Sequence, residues 1–145
     1  MKKQAYTVIA MIVLVGSMVV AAQAQTSGRT QLIANIPFEF SAGAKTLPAG
    51  KYTIACVNPT SDQKVLQIRS LDGRNSAVLQ MHSVNGKTQE GAKLVFHRYG
   101  DRYFLAQAWT PADNIGMEAP KSRAERAAEV ASNATRRIEA VALSR

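Results

Sequence analysis

Between Gln31 and Trp109 the chain is cut into short apolar or alternating runs by turn-forming residues, and this punctuation constrains the fold most. Runs so short favour strands over packed helices, and alternation sends every second side chain to one face. "QLIANIPFEF" (31–40) reads as a strand interrupted by Pro37, which lacks an N–H for the ladder and so marks an edge or a bulge. "LPAG" (47–50) is a tight turn, with the fixed φ of Pro48 and a closing Gly50. "KYTIACV" (51–57) alternates, placing Tyr52, Ile54 and Cys56 on one face and Thr53, Ala55 and Val57 on the other. After the polar loop "NPTSD", "KVLQIRS" (64–70) turns Leu66 and Ile68 inward. Asp72-Gly73 and Asn85-Gly86 are hairpin signals, because such pairs supply the positive φ that primed turns need. The expectation is a mainly β domain over residues 25–109: a small antiparallel β-barrel or sandwich of six to seven strands.

The residues ahead of this domain read as an export address. Lys2 and Lys3 precede an apolar run from Ala5 to Ala22, and Ala22-Gln23-Ala24 is the small-x-small pattern that a signal peptidase accepts. Residues 1–24 are thus expected to be a signal peptide, with Ala22 and Ala24 as the recognition residues and Gln25 as the mature N-terminus. The second reading, an uncleaved anchor, fits less well because the run falls slightly short of the ~20 apolar residues of a spanning helix. The expected compartment is the periplasm or the exterior, with no transmembrane span after cleavage.

Removing Lys2 and Lys3 lowers the formal charge from +8 to +6. That charge is dispersed with no long basic block, so nucleic acid is not the expected partner despite a pI near 10.0. A weak attraction to anionic envelope surfaces fits better. Cys56 is the single cysteine, so no disulfide forms within the chain and stability must come from the apolar core. Its alternation with Tyr52 and Ile54 reads as a buried small hydrophobe.

"LVFHRYGDRYFLAQAW" (94–109) concentrates the polar chemistry. With Gly100-Asp101 as a two-residue loop, Tyr99 pairs with Arg102, Arg98 with Tyr103, His97 with Phe104 and Phe96 with Leu105. This register sets each Arg beside a Tyr ring, where its planar cation can stack, whereas a loop one residue longer would oppose Arg98 and Arg102. No nucleophile elbow, phosphate cradle or paired carboxylates accompany the run, and His82 and His97 lack metal-ligand spacing. No carboxylate near in sequence orients the His97 ring. The stretch reads as a hairpin with no catalytic, metal or cofactor site, and Arg98, Tyr99, Arg102 and Tyr103 are its candidate surface contacts. Leu94, Phe96 and Leu105 share one face, and Val95, Phe104, Ala106 and Ala108 the other. Since both faces are apolar, something should cover the outer one.

"TPADNIGMEAPK" (110–121) reads as a linker without periodicity. Ser122 and Glu125 then form a capping box opening one C-terminal amphipathic helix over 122–145. Its seam is Ala124, Ala127, Ala131, Ala134, Ile138 and Val141. The helix is the candidate cover for the outer face of the hairpin, and pairing with another chain through the same seam is the rival; docking or self-association is favoured over a free arm, which the linker also permits.

"IPFEF", "LPAGKYTI", "LVFHRYGDRYFL" and the "KSRAERAAE" tail resemble a family of small exported proteins of soil-dwelling bacteria, described only as hypothetical. The resemblance covers nearly the whole mature chain, implies export, and carries over no catalytic or ligand-binding residue. The functional expectation is an exported, non-catalytic envelope or extracellular module that binds a protein, a glycan or the envelope surface. The alternative is a β-barrel carrier of a small apolar ligand. A hydrolytic enzyme is the weaker third reading, requiring a cleft assembled from distant residues.

Overall fold

The computed structural model describes residues 31–132 and 137–144, so the signal-peptide reading over residues 1–24 lies outside the described residues. The fold is mainly β, with ten strands and one helix among the described residues. In chain order these are β1 (Gln31–Ile36), β2 (Phe40–Ala42), β3 (Lys45–Leu47), β4 (Gly50–Cys56), β5 (Gln63–Ser70), β6 (Ser76–Asn85), β7 (Lys93–Tyr99), β8 (Arg102–Trp109), β9 (Ile115–Glu118), α1 (Arg123–Ser132) and β10 (Arg137–Ser144). They form one sheet in the order β3-β2-β8-β7-β10-β1-β4-β5-β6-β9. All neighbours are antiparallel except β2 and β8. β9 also touches β8 at Gln107↔Glu118 and Ala108↔Met117. The β9 end of the sheet thus returns to β8, the third strand from the other end, over two residue pairs, giving a strongly curled sheet rather than a closed barrel.

The inner face of the curl is the core. Tyr52, Phe40, Phe96, Ile36, Leu47, Leu66, Ile68, Met81 and Leu94 are all fully buried there. Tyr52, Ile54, Leu66 and Ile68 point inward as their alternation requires. Cys56 sits only half-buried at the end of β4, packed against the core rim rather than enclosed. Among the described residues no helix is long and apolar enough to cross a membrane.

Several elements differ from the sequence reading, each for a physical reason. The 31–40 strand is two: β1 stops at Ile36, Pro37 stands outside the ladder, and β2 restarts at Phe40 beside β8. Asp72-Gly73 does turn a hairpin, but within the longer loop 71–75, where only Gly73 has positive φ (73°) and its N–H donates to the Ser70 carbonyl. Asn85-Gly86 makes no hairpin. Gly86 donates instead to the Asn114 carbonyl, and both it and Gly116 lie against the Trp109 indole, where an added Cβ would clash. The supposed linker 110–121 contains β9, whose ladders to β6 and β8 supply the order that its composition hides.

The largest correction concerns the tail. The expected helix over 122–145 ends at Ser132, and Arg137–Ser144 forms β10, inserted between β7 and β1. "RIEAVALS" satisfies two periods, since Ile138 and Val141 extend the helical seam while Ile138, Ala140 and Ala142 alternate as a strand requires. The open edge of β7 decides between them: a strand buried on both faces needs a hydrogen-bonding neighbour on each side.

Candidate functional site

The hairpin β7–β8 has the register its sequence implies: Tyr99↔Arg102, Arg98↔Tyr103, His97↔Phe104 and Phe96↔Leu105. Gly100 takes φ 60° in the two-residue loop. Beyond Phe96 a bulge shifts the pairing to Val95↔Gln107, adding one residue to β8. Ala108 therefore changes face and joins Leu94 in the core, whereas alternation alone had placed it outside with Val95 and Phe104.

The two faces at the hairpin end do different things. On the inner face, Arg98 lies over the Tyr103 ring, 5.2 Å from its centroid, and Tyr103 stacks on Phe38 at 3.8 Å with 12° between planes. Phe38 in turn meets Phe96 edge-on at 5.1 Å. Arg98 Nε donates to the Gly100 carbonyl at 2.8 Å, fixing the guanidinium across the loop. Phe38 and Tyr103 pack against the core, and Arg98, Tyr103 and Phe38 are each half-buried.

On the outer face, His97, Tyr99 and Phe104 are covered by α1. Glu125 and Ala128 are the buried residues of that helix, and Ala128 joins Tyr99 and Phe104 in a small cluster of their own. His97 Nδ1–H donates to Glu125 Oε1 at 2.7 Å, and the Tyr99 hydroxyl donates to the same oxygen at 3.4 Å. His97 and Glu125 are 8% and 4% exposed, so water competes little for this bond. Burial, and secondarily the Glu125 carboxylate, holds the Tyr99 phenol above its ordinary range. Beside the cluster, Lys121 Nζ bonds both Glu129 oxygens at 2.7 Å, which raises the lysine above its ordinary range.

The helix packs on the hairpin, but not through the expected seam. Ala124, Ala127 and Ala131 of the expected seam are exposed, while Glu125 and Ala128 face the sheet. The capping box is half-made: the Glu125 amide donates to Ser122 Oγ at 3.1 Å, but its carboxylate goes to His97 and Tyr99. Sequence reasoning had left His97 without an orienting carboxylate. Its partner lies 28 residues away, and the signal present, an acid in the first turn of a helix expected to dock, is weak.

Among the four contact candidates, Arg102 is exposed, Arg98 and Tyr103 are half-buried, and Tyr99 is buried at 3%. Tyr99 is therefore no surface contact. The expected Arg102–Tyr99 stack is replaced by Arg102 over Phe104 at 5.1 Å. His82 is exposed on β6, opposite Glu118 of β9 and apart from the His97 cluster. A depression of ≈ 260 Å³ lies between Pro48–Tyr52 and Leu71–Asn75. Three of its polar side chains bond internally: Tyr52 OH to the Pro48 carbonyl, Ser70 Oγ to Asp72, and Asp72 to the Arg74 amide. The bonds from Ser70 Oγ and then the Arg74 amide keep the Asp72 carboxyl below its ordinary range.

No protein-family model matches the chain, and no curated protein or solved structure is significantly similar to it.

Proposed function

We propose that this chain is an exported, non-catalytic envelope or extracellular protein that works by binding, using the hairpin end that carries Arg98, Arg102 and Tyr103. The observation that carries this reading is the filled interior: Phe40, Tyr52, Leu66, Ile68, Met81 and Phe96 occupy the inside of the curl at 0–1% exposure. A carrier of an apolar ligand needs that volume empty, so the filled core weighs against the alternative. His97 and Tyr99 both bond Glu125 across the joint between sheet and helix, which supports a structural use of the polar cluster. Arg and Tyr side chains fixed by stacking lose little entropy on binding, which suits a contact surface for a protein or glycan. The resemblance to small exported proteins and the +6 charge of the mature chain accord with work at an anionic envelope.

The test compares the mature protein with an Arg102→Ala/Tyr103→Ala variant on purified envelope fractions and arrayed glycans. The expected result is binding by the parent and a loss of at least about tenfold in the variant, as removal of an Arg or Tyr anchor typically gives. Equal binding by both moves the contact surface elsewhere. Saturable uptake of an apolar dye, unaffected by the variant, would revive the carrier.

A further inference from the structure

We propose that β10 is an exchangeable complement to the sheet, and that a second copy of this chain can supply the same strand in trans. β10 lies antiparallel between two strands distant from it in sequence. It pairs with β7 from Arg137↔Arg98 to Ala142↔Lys93, but with β1 only at Ile33↔Ser144 and Ala34↔Leu143. Without it β7 would present an open backbone edge flanked by Leu94, Val95, Phe96 and His97, all buried on one face or the other. An edge that long and apolar is a template for another strand. The occupant is set by register as well as by backbone bonds: Val141, opposite Leu94, packs against the core cluster. An identical strand meets every one of these requirements, so each contact made within one chain can be remade between two.

The attachment of the segment permits exchange. β10 joins the body of the fold through α1, whose buried footprint among the described residues is Glu125 and Ala128. Withdrawing α1 and β10 together parts Glu125 from His97 and Tyr99, and Ala128 from Tyr99 and Phe104, before the β7 ladder opens. The same helix exposes Val130 at 79%, with Ala124, Ala127 and Ala131 beside it, a stripe that a single chain leaves to water. The balance between closed single chains and exchanged pairs then depends on protein concentration.

The experiment uses the mature chain with Cys56→Ser, so that only introduced thiols can pair. Ile33→Cys and Ser144→Cys chains are mixed under oxidation; these positions are partners in the ladder, and a disulfide spans such cross-strand pairs readily. A second mixture of Lys93→Cys and Ala142→Cys chains tests the β7 side. An out-of-register mixture of Lys93→Cys and Ser144→Cys sets the background. The proposal expects covalent heterodimers from both in-register mixtures, well above background and growing with concentration. It also expects a species of doubled mass in the parent protein. The chain carrying Ile33→Cys and Ser144→Cys together reports the closed form as an intramolecular bond. If that chain closes only on itself while the mixtures stay at background at every concentration, exchange is overturned. If neither kind of bond forms, β10 does not occupy the slot at all and the proposal fails with it.

Discussion

Replacing Glu125 by Ala tests the joint between helix and sheet, and its cost can be worked from the structure. The substitution strands two buried donors, the Nδ1–H of His97 at 2.7 Å and the hydroxyl of Tyr99 at 3.4 Å. A buried donor left without a partner costs about 1–3 kcal/mol, and more beside a charge; the long Tyr99 bond belongs at the low end. Alanine returns roughly 0.5 kcal/mol through its helix propensity, and a similar amount is lost with the acid in the first turn. These last two terms cancel, leaving a loss of about 2–4 kcal/mol, a large share of the ~5–15 kcal/mol that such a domain possesses. Urea unfolding followed by Trp109 fluorescence would read it as a fall in midpoint of roughly 1–3 M at a slope on the order of 1.5 kcal/mol/M. A double-mutant cycle with His97→Leu separates the bond from local packing. The double variant should recover at least about 1 kcal/mol relative to the sum of the singles, because the His97 ring N–H is then no longer present to be left unpaired, and only the long Tyr99 bond is lost. Additive losses, or a Glu125→Ala cost below about 0.5 kcal/mol, would refute the claim that this carboxylate fastens the helix.

Other outcomes follow from the same geometry. At Gly116 an added Cβ would lie 2.7 Å from the Trp109 indole, so Gly116→Ala should cost about 1–3 kcal/mol in the same urea assay. Ala128→Leu should destabilise by a similar amount because Ala128 is enclosed with Tyr99 and Phe104, while the exposed Ala131→Leu should stay within about 0.5 kcal/mol. The phenols of Tyr52 and Tyr99 are raised above 10.0, so the folded state favours their neutral forms. Their contribution is complete below pH 10 and is lost as pH rises beyond it; thermal melts should show this decline, and Tyr99→Phe should reduce it. Protein recovered from the periplasm or medium should begin at Gln25 on N-terminal sequencing; Met1 retained in a membrane fraction would contradict export.

What could be read in the sequence was whatever short-range chemistry decides. The hairpin register is an example: a two-residue loop and the avoidance of opposed Arg98 and Arg102 fixed it, and the structure agrees pair by pair. The need for cover over Val95 and Phe104 was also legible, because strands apolar on both faces cannot meet water. What covers them was legible only in part. The helix was visible from its cap, but its docking face was assigned to the alanine seam, whereas a bond to His97 turned Glu125 and Ala128 inward. The fate of 137–144 was hidden because both periods fit, and the deciding partner, the edge of β7, is an open backbone rather than a side-chain pattern. β9 was concealed in the same way, by ladders to strands distant in sequence. Of the candidate site, the Arg98–Tyr103 stack was foreseen and its extension to Phe38 was not, because that contact depends on β2 lying parallel to β8.

The most direct test of the central claim, that the buried polar cluster joins helix to hairpin, is an NMR measurement on the mature protein at neutral pH. The account predicts strong nuclear Overhauser contacts from the Ala128 methyl to the rings of Tyr99 and Phe104. It also predicts a slowly exchanging ring N–H resonance for His97 that disappears in Glu125→Ala. Absence of the Ala128 contacts, with a His97 ring proton exchanging freely in the parent protein, would contradict it.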